Sequence, residues 1–197
     1  PGISSAASDV YKRQQYALEE VEKGDLDHWF TRSFSKADLE VDIDELDHST
    51  RSKWLASTAS PRPLALVSTR DGERENVAPM TSMSVVSNTP PLIVMSLSQN
   101  REAKKRDTYL NLVKSGECEL QSLCPTKEAA KDVDLASTPT DESEWNLLDC
   151  EGPIHPLAVV VMKCRLVEDY PLPEGAVARL VVLRVESMIV PSLSLIH

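Results

Sequence analysis

Aromatic residues are scarce in this 197-residue chain, at 5%, so any core has to be built from aliphatic side chains. Cations are the minority charge. Lys plus Arg number 21 against 31 Asp plus Glu, a formal net charge of −10. That deficit argues against a general nucleic-acid binder, which needs a net basic face, and against a protein drawn to anionic membrane surfaces. No apolar run approaches the roughly 20 residues needed to span a bilayer. The N-terminus lacks the signal-peptide pattern, because its cations come late and no apolar stretch follows them. The four cysteines, Cys118, Cys124, Cys150 and Cys164, form no C-x-x-C pair, so zinc and thioredoxin-like spacings are missing. Four free, mostly buried thiols in a reducing compartment are the expectation. His28 and His48 stand in an acidic, weakly patterned region where a metal site would need a tighter cluster, so they read as solvated. What is present is 41% hydrophobic residues, enough for the core of one ordinary domain.

The two ends are related in an unusual way. Val10 to Gln14 can be encoded as GTG TAT AAG AGA CAG. The reverse complement, CTG TCT CTT ATA CAC, translates as Leu-Ser-Leu-Ile-His, which is Leu193 to His197. Residues 1–14 and 193–197 are therefore expected to be adapter-derived artefacts and carry no weight in the reading of the fold. Gln15 to Ser192 remain, with Lys plus Arg 19, Asp plus Glu 30 and a net charge of −11. This part is expected to be truncated at one end or both.

Residues 15–52 form an acidic lead-in, expected as short helical pieces packing on the outside of a domain. The texture changes at Pro61, and 53–192 reads as the domain proper. Leu64 to Thr69 has β character, Asp71-Gly72 supplies a turn, and Asn76 to Met80 reads as the return of a hairpin. Ser84 to Ser87 is a third extended piece, stopped by Pro90-Pro91, and Leu92 to Leu97 is a buried-type strand. Gln99 to Arg106 is a polar, basic loop. Asp107-Thr108 opens a helix with Leu110, Leu112 and Val113 as its apolar side and Gly116 as its stop. Glu117 to Leu123 suits another strand, and 125–150 is helical and loopy. Leu157 to Val167 and Ala176 to Val190 are the longest extended runs. Strands do not alternate regularly with helices, so a doubly wound parallel sheet is disfavoured. A mainly β (α+β) fold, an antiparallel barrel with peripheral helices, fits best.

Three segments carry candidate chemistry. Lys104-Lys105-Arg106 precede a helix start, where backbone N–H groups and the helix dipole attract anions, and Thr108 adds a hydroxyl. A solvated charge run with an ordinary helix cap is the plainer reading of that segment alone. Thr81 and Ser82 offer adjacent hydroxyls after Pro79, suited to a phosphate or to the polar edge of a flat ring. Taken alone, they also read as a polar strand end. The third segment, Pro61-Arg62-Pro63, leads into Ser68-Thr69.

In order, "SPRPLALVST…DG…NVAPMTSMSVVSNTPPLIVMSL…KKRDTYLNLVKSGECELQSL" resembles the flavin reductase-like family of FMN-binding split barrels. The resemblance runs from about Trp54 to Leu123 and more loosely from Ile154 to Val190. It implies a six-stranded antiparallel barrel, a homodimer in the cytoplasm, and FMN near the subunit interface. Carried onto this chain, it puts Arg62, Val67, Ser68 and Thr69 close to the flavin and Asn76, Ala78 and Pro79 beside its ring. Thr81 and Ser82 would hydrogen-bond the flavin, Ser96 would line the same pocket, and Lys105, Arg106 and Thr108 would hold the phosphate. Met80 and Met83 stand where the family has aromatics, so thioether contact would replace ring stacking. Arg106 replaces the usual Lys and would bind phosphate through a planar fork. The implied activity is hydride transfer from NADH or NADPH to bound flavin, with no catalytic side chain and no metal. A non-enzymatic FMN-binding electron carrier and a flavin-free barrel serving as a binding module are the alternatives.

Overall fold

The computed structural model describes residues 40–58, 62–72, 74–98, 106–140 and 142–192. Both adapter-like ends, most of the acidic lead-in with His28, and Lys104 and Lys105 of the basic loop lie outside the described residues. Two compact units divide the described chain, 40–62 and 63–192.

The first unit holds one helix, α1 (His48–Thr58). Asp47 caps it, its Oδ1 accepting from the N–H groups of Ser49 at 2.9 Å and Thr50 at 3.1 Å. Hydrogen bonds from Thr50 hold the Asp47 carboxyl below its usual value. Arg51 reaches back to the carbonyls of Ile43 and Leu46, both at 2.9 Å, and folds the preceding turn onto the helix. Trp54 and Leu55 are exposed. The expected boundary at 52/53 falls inside α1.

The second unit is β1 (Ala65–Asp71), β2 (Arg74–Met80), β3 (Met83–Asn88), β4 (Pro91–Leu97), α2 (Asp107–Ser115), β5 (Glu117–Leu123), α3 (Lys127–Ala136), α4 (Glu144–Leu147), β6 (Ala158–Pro171) and β7 (Arg179–Ile189). All strand pairs are antiparallel, in one seven-stranded sheet ordered β2-β1-β5-β6-β7-β4-β3. The six strands implied by the family pattern become seven, because both β3 and the long β7 pair with β4.

The connection from β2 to β3 makes this sheet a barrel. These strands are the two opposite edges of the sheet, yet only Thr81 and Ser82 join them. Three peptide steps reach at most roughly 11 Å, so the sheet must curl until its edges nearly meet. The result is a mainly β split barrel, open between β2 and β3, with helices outside.

Strand alternation assigns the core. Val67 points into the barrel with Met80, Ile93, Met95, Leu112, Leu120, Val181 and Leu183. Its neighbour Leu66 points outward and packs with Val77 against Val133 and Ala136 of α3 and Trp145 of α4. β1 is thus buried on both faces, which its unbroken apolar start foreshadows. Pro79 sits in β2, an edge strand where a missing N–H is tolerated. Thr126 caps α3 by accepting from Ala129 N at 3.1 Å. Gly116 ends α2 at φ 76°, a left-handed turn that glycine adopts without a Cβ clash.

The α2 face differs from expectation. Thr108, Tyr109, Asn111 and Leu112 are buried, while Leu110 and Val113 are each 48% exposed. Polar residues on the inner side find partners on β1 and β2, and those bonds rotate the helix away from its purely apolar stripe.

All four cysteines are free; Cys118 and Cys164 are buried and Cys124 and Cys150 half-buried. Cys118 and Cys164 face each other across β5 and β6. Their mutual hydrogen bond, then burial, pushes the Cys118 thiol well above its usual value, and burial also raises Cys150. A thiol reagent applied to the folded protein is therefore expected to modify Cys124 first and to spare Cys118 and Cys164 until unfolding. Simultaneous labelling of all four, read by mass spectrometry, would contradict this packing. His48 is exposed. His155 is buried, with Nε2 3.3 Å from Asp132 Oδ2 and Nδ1 accepting from Leu157 N at 3.1 Å. Among the described residues no cluster could hold a metal ion, and no helix is long and apolar enough to cross a membrane.

Candidate functional site

A knot of buried polar groups joins the β1–β2 hairpin to α2 and α4. Asn76 is at its centre, on β2 opposite Thr69 and only 4% exposed. Hydrogen-bond chemistry assigns its amide nitrogen toward Glu144. In that orientation it donates to Glu144 Oε2 at 3.2 Å, while Oδ1 accepts from the Thr108 hydroxyl at 3.0 Å and from Val77 N at 3.2 Å. One turn along α2, Asn111 Nδ2 stands 3.5 Å from Thr69 Oγ1 as its donor. Ser143, at the start of α4, donates to the Glu75 carbonyl at 2.6 Å and fixes that helix to β2. These bonds place the first turn of α2 against the open edge of the barrel. Arg106 precedes that turn with extended backbone, and its carbonyl accepts from Tyr109 N at 3.0 Å and Leu110 N at 3.1 Å.

A second group holds the other side of the same turn. The Tyr109 hydroxyl donates to Asp169 Oδ2 at 2.7 Å, and Arg179 Nε donates to Asp169 Oδ1 at 2.7 Å. Burial first, and the Asp169 hydrogen bond second, push the Tyr109 phenol above its ordinary value of 10.0. The folded value exceeds the unfolded one, so this contribution to stability is complete below about pH 10 and fades as pH rises through the folded value. Near Ser68, burial likewise raises the Glu119 carboxyl, opposed by Arg70 and Lys163.

The structure brings together Thr69, Asn76 and Thr108, with Ser68 buried beside Thr69. The Thr108 hydroxyl is turned inward to Asn76, and the residue is 1% exposed. Ala78 and Pro79 are half-buried along β2, and Arg106 is exposed at the helix start. Thr81, half-buried, and Ser82, exposed, form the two-residue strap across the split; the Ser82 carbonyl accepts from Ser96 N at 2.8 Å, which draws half-buried Ser96 to the same place. Val67 and Met80 face the barrel core, and Met83 packs against that core. Arg62 is exposed and ends the first unit. Lys105 lies outside the described residues.

Sequence reasoning passes over Asn111, Glu144, Tyr109, Asp169 and Arg179. Asn111 carries a signal, since it follows Thr108 by three residues and so shares its helix face. Glu144 carries none, because it reaches Asn76 from 68 residues away.

A family model described as the flavin reductase like domain matches residues 57–195. The chain belongs to that family. Solved structures agree on the fold. Nitrilotriacetate monooxygenase component B from Bacillus cereus superposes with a TM-score of 0.66 at 24% identity, covering 80% of this chain and 84% of that one. A Shewanella frigidimarina protein described as a flavin reductase with split barrel domain gives 0.64 at 19% identity, covering 82% and 81%. An FMN-binding protein from Thermus thermophilus gives 0.55 at 21%, covering 81% and 80%. Among curated relatives, the uncharacterized protein YwrF of Bacillus subtilis is 39% identical over 75 residues, 38% of this chain and 36% of that protein. Matches to the curated relatives span between 36% and 49% of their lengths.

Proposed function

We propose that this flavin reductase-like chain binds FMN and passes hydride to it from NADH or NADPH. The observation that carries the reading is the α2 start, with exposed Arg106, held by Asn76 and Thr108 against the split between β2 and β3. The donor set there fits the cofactor. The positive end of a helix dipole suits a phosphate, and an arginine fork matches two of its oxygens. The Thr81, Ser82 and Ser96 positions suit the polar edge of a flat ring. In this reading Lys105, Arg106 and the first-turn amides of α2 hold the phosphate. Thr108 fixes the helix rather than spending its hydroxyl on the ligand. Ser68, Thr69, Ala78 and Pro79 border the flavin.

Bound FMN supplies the two-electron redox chemistry, so the protein has only to bind, orient and shield. The reading extends to a homodimer. Its support is the edge strand β3, where Val85 and Val86 are 64% and 55% exposed. It also extends to the cytoplasm, supported by four unpaired thiols.

The test is an absorbance spectrum after incubation with excess FMN and desalting, followed by NADH or NADPH without oxygen. A retained flavin spectrum that bleaches with the nicotinamide is the expected result. Retained flavin that resists bleaching by either nucleotide points to an electron carrier, and no retained flavin removes the flavin reading.

A further inference from the structure

The first turn of α2 is pinned from two sides, and only one belongs to the knot around Asn76. On the other side, Tyr109 meets a carboxylate and a guanidinium. Its hydroxyl is 2.7 Å from Asp169 Oδ2 as donor. Arg179 donates from Nε to Asp169 Oδ1 at 2.7 Å and from Nη2 to the Asp169 carbonyl at 3.4 Å. The guanidinium carbon stands 5.8 Å from the centre of the Tyr109 ring. In register, Arg179 pairs with Leu97, the last residue of β4, and with Pro171, the last of β6. The cluster therefore anchors the helix start to the corner where β4 and β6 end and β7 begins.

A phenylalanine would fill the Tyr109 ring position equally well. Adding a hydroxyl, a carboxylate and a guanidinium brings a desolvation penalty, and what it returns is direction: a short charge-assisted bond fixes the turn more tightly than apolar contact does. That turn carries Arg106, whose carbonyl accepts from Tyr109 N. We propose that Tyr109, Asp169 and Arg179 are positioning residues that set Arg106 and the first-turn amides of α2 for the phosphate, making the site select phosphorylated over unphosphorylated flavin. This rests on the flavin reading above. No member of the cluster needs to touch the cofactor. The gain comes from ordering the anion grip before the ligand arrives.

Tyr109→Phe keeps the ring and removes the hydroxyl. Dissociation constants of the full chain for FMN and riboflavin, measured by quenching of flavin fluorescence, test the idea. The expected result is an FMN constant about tenfold weaker, with riboflavin changed less than roughly twofold. Equal weakening of both would assign the cluster a purely structural role, and an unchanged FMN constant would dismiss it; either overturns the proposal. Should Tyr109→Phe fail to fold, Arg179→Lys keeps the charge, loses the Nε bond and is judged by the same two constants. A wild-type chain that binds neither flavin overturns the flavin reading and this proposal together. A wild type that binds riboflavin as tightly as FMN overturns this proposal alone.

Discussion

Asn76→Ala is expected to lower the unfolding free energy by about 3 kcal/mol and to weaken FMN retention at the same time. The native amide serves the Thr108 hydroxyl, Val77 N and Glu144 Oε2 together. Truncation leaves the buried Thr108 hydroxyl without its acceptor, and each such orphan costs about 1–3 kcal/mol. Glu144 is half-buried, so water recovers part of its loss, which holds the total near the upper end of the range for a single orphan. Denaturant midpoints measure the stability change, and desalting measures flavin retention. Asn76→Asp sharpens the test. It sets a second carboxylate against Glu144, so one of the pair is pushed upward in pKa and stability should rise as pH falls. Wild-type midpoints for both variants would remove Asn76 from the centre of the knot.

Gln121→Leu should destabilise to a similar degree, about 3 kcal/mol, yet leave flavin binding alone. Gln121 is 0% exposed. Its Nε2 donates to the Pro153 carbonyl at 2.7 Å, and its Oε1 accepts from His155 N at 2.7 Å. One side chain on β5 thereby holds the segment leading into β6. Leucine has a similar volume but orphans a carbonyl and an N–H. Loosening that segment should also speed labelling of Cys150, three residues before Pro153. The contrast between the two variants is the useful part. Both lower stability, but only Asn76→Ala should lower FMN affinity more than riboflavin affinity. Equal flavin loss in both would mean that retention merely tracks folding.

Much of the fold is legible because its strands follow simple rules. Alternation and turn residues give seven extended pieces, and Glu117 to Leu123 is β5 to the residue. The family pattern implied six strands, so here the residue-level pieces were the better guide. Boundaries slip where pairing rather than composition decides them. β6 continues to Pro171 because Asp169, Tyr170 and Pro171 find partners on β7, and β7 starts only at Arg179, after the turn at Pro173 to Gly175. The candidate site is less legible. Local chemistry marks Thr108, Asn76 and the serines and threonines of β1. It cannot show that Thr108 turns inward, since that depends on Asn76 and on Glu144 from a different part of the chain. Nor can it pair Tyr109 with Asp169, 60 residues away.

The two-residue strap at Thr81 and Ser82 also bears on how the molecule assembles in time. β1–β2, β3–β4 and β6–β7 are hairpins of neighbours, quick to close. The sheet can curl only after β1 finds β5 and β4 finds β7, a union of residues 92–97 with 179–184. Contacts so distant in sequence make folding slow. Until they form, the strap joins two strand pairs that share no sheet. A ligand seated at the split meets its site only in the closed barrel, so it should slow unfolding while leaving the rate of folding unchanged.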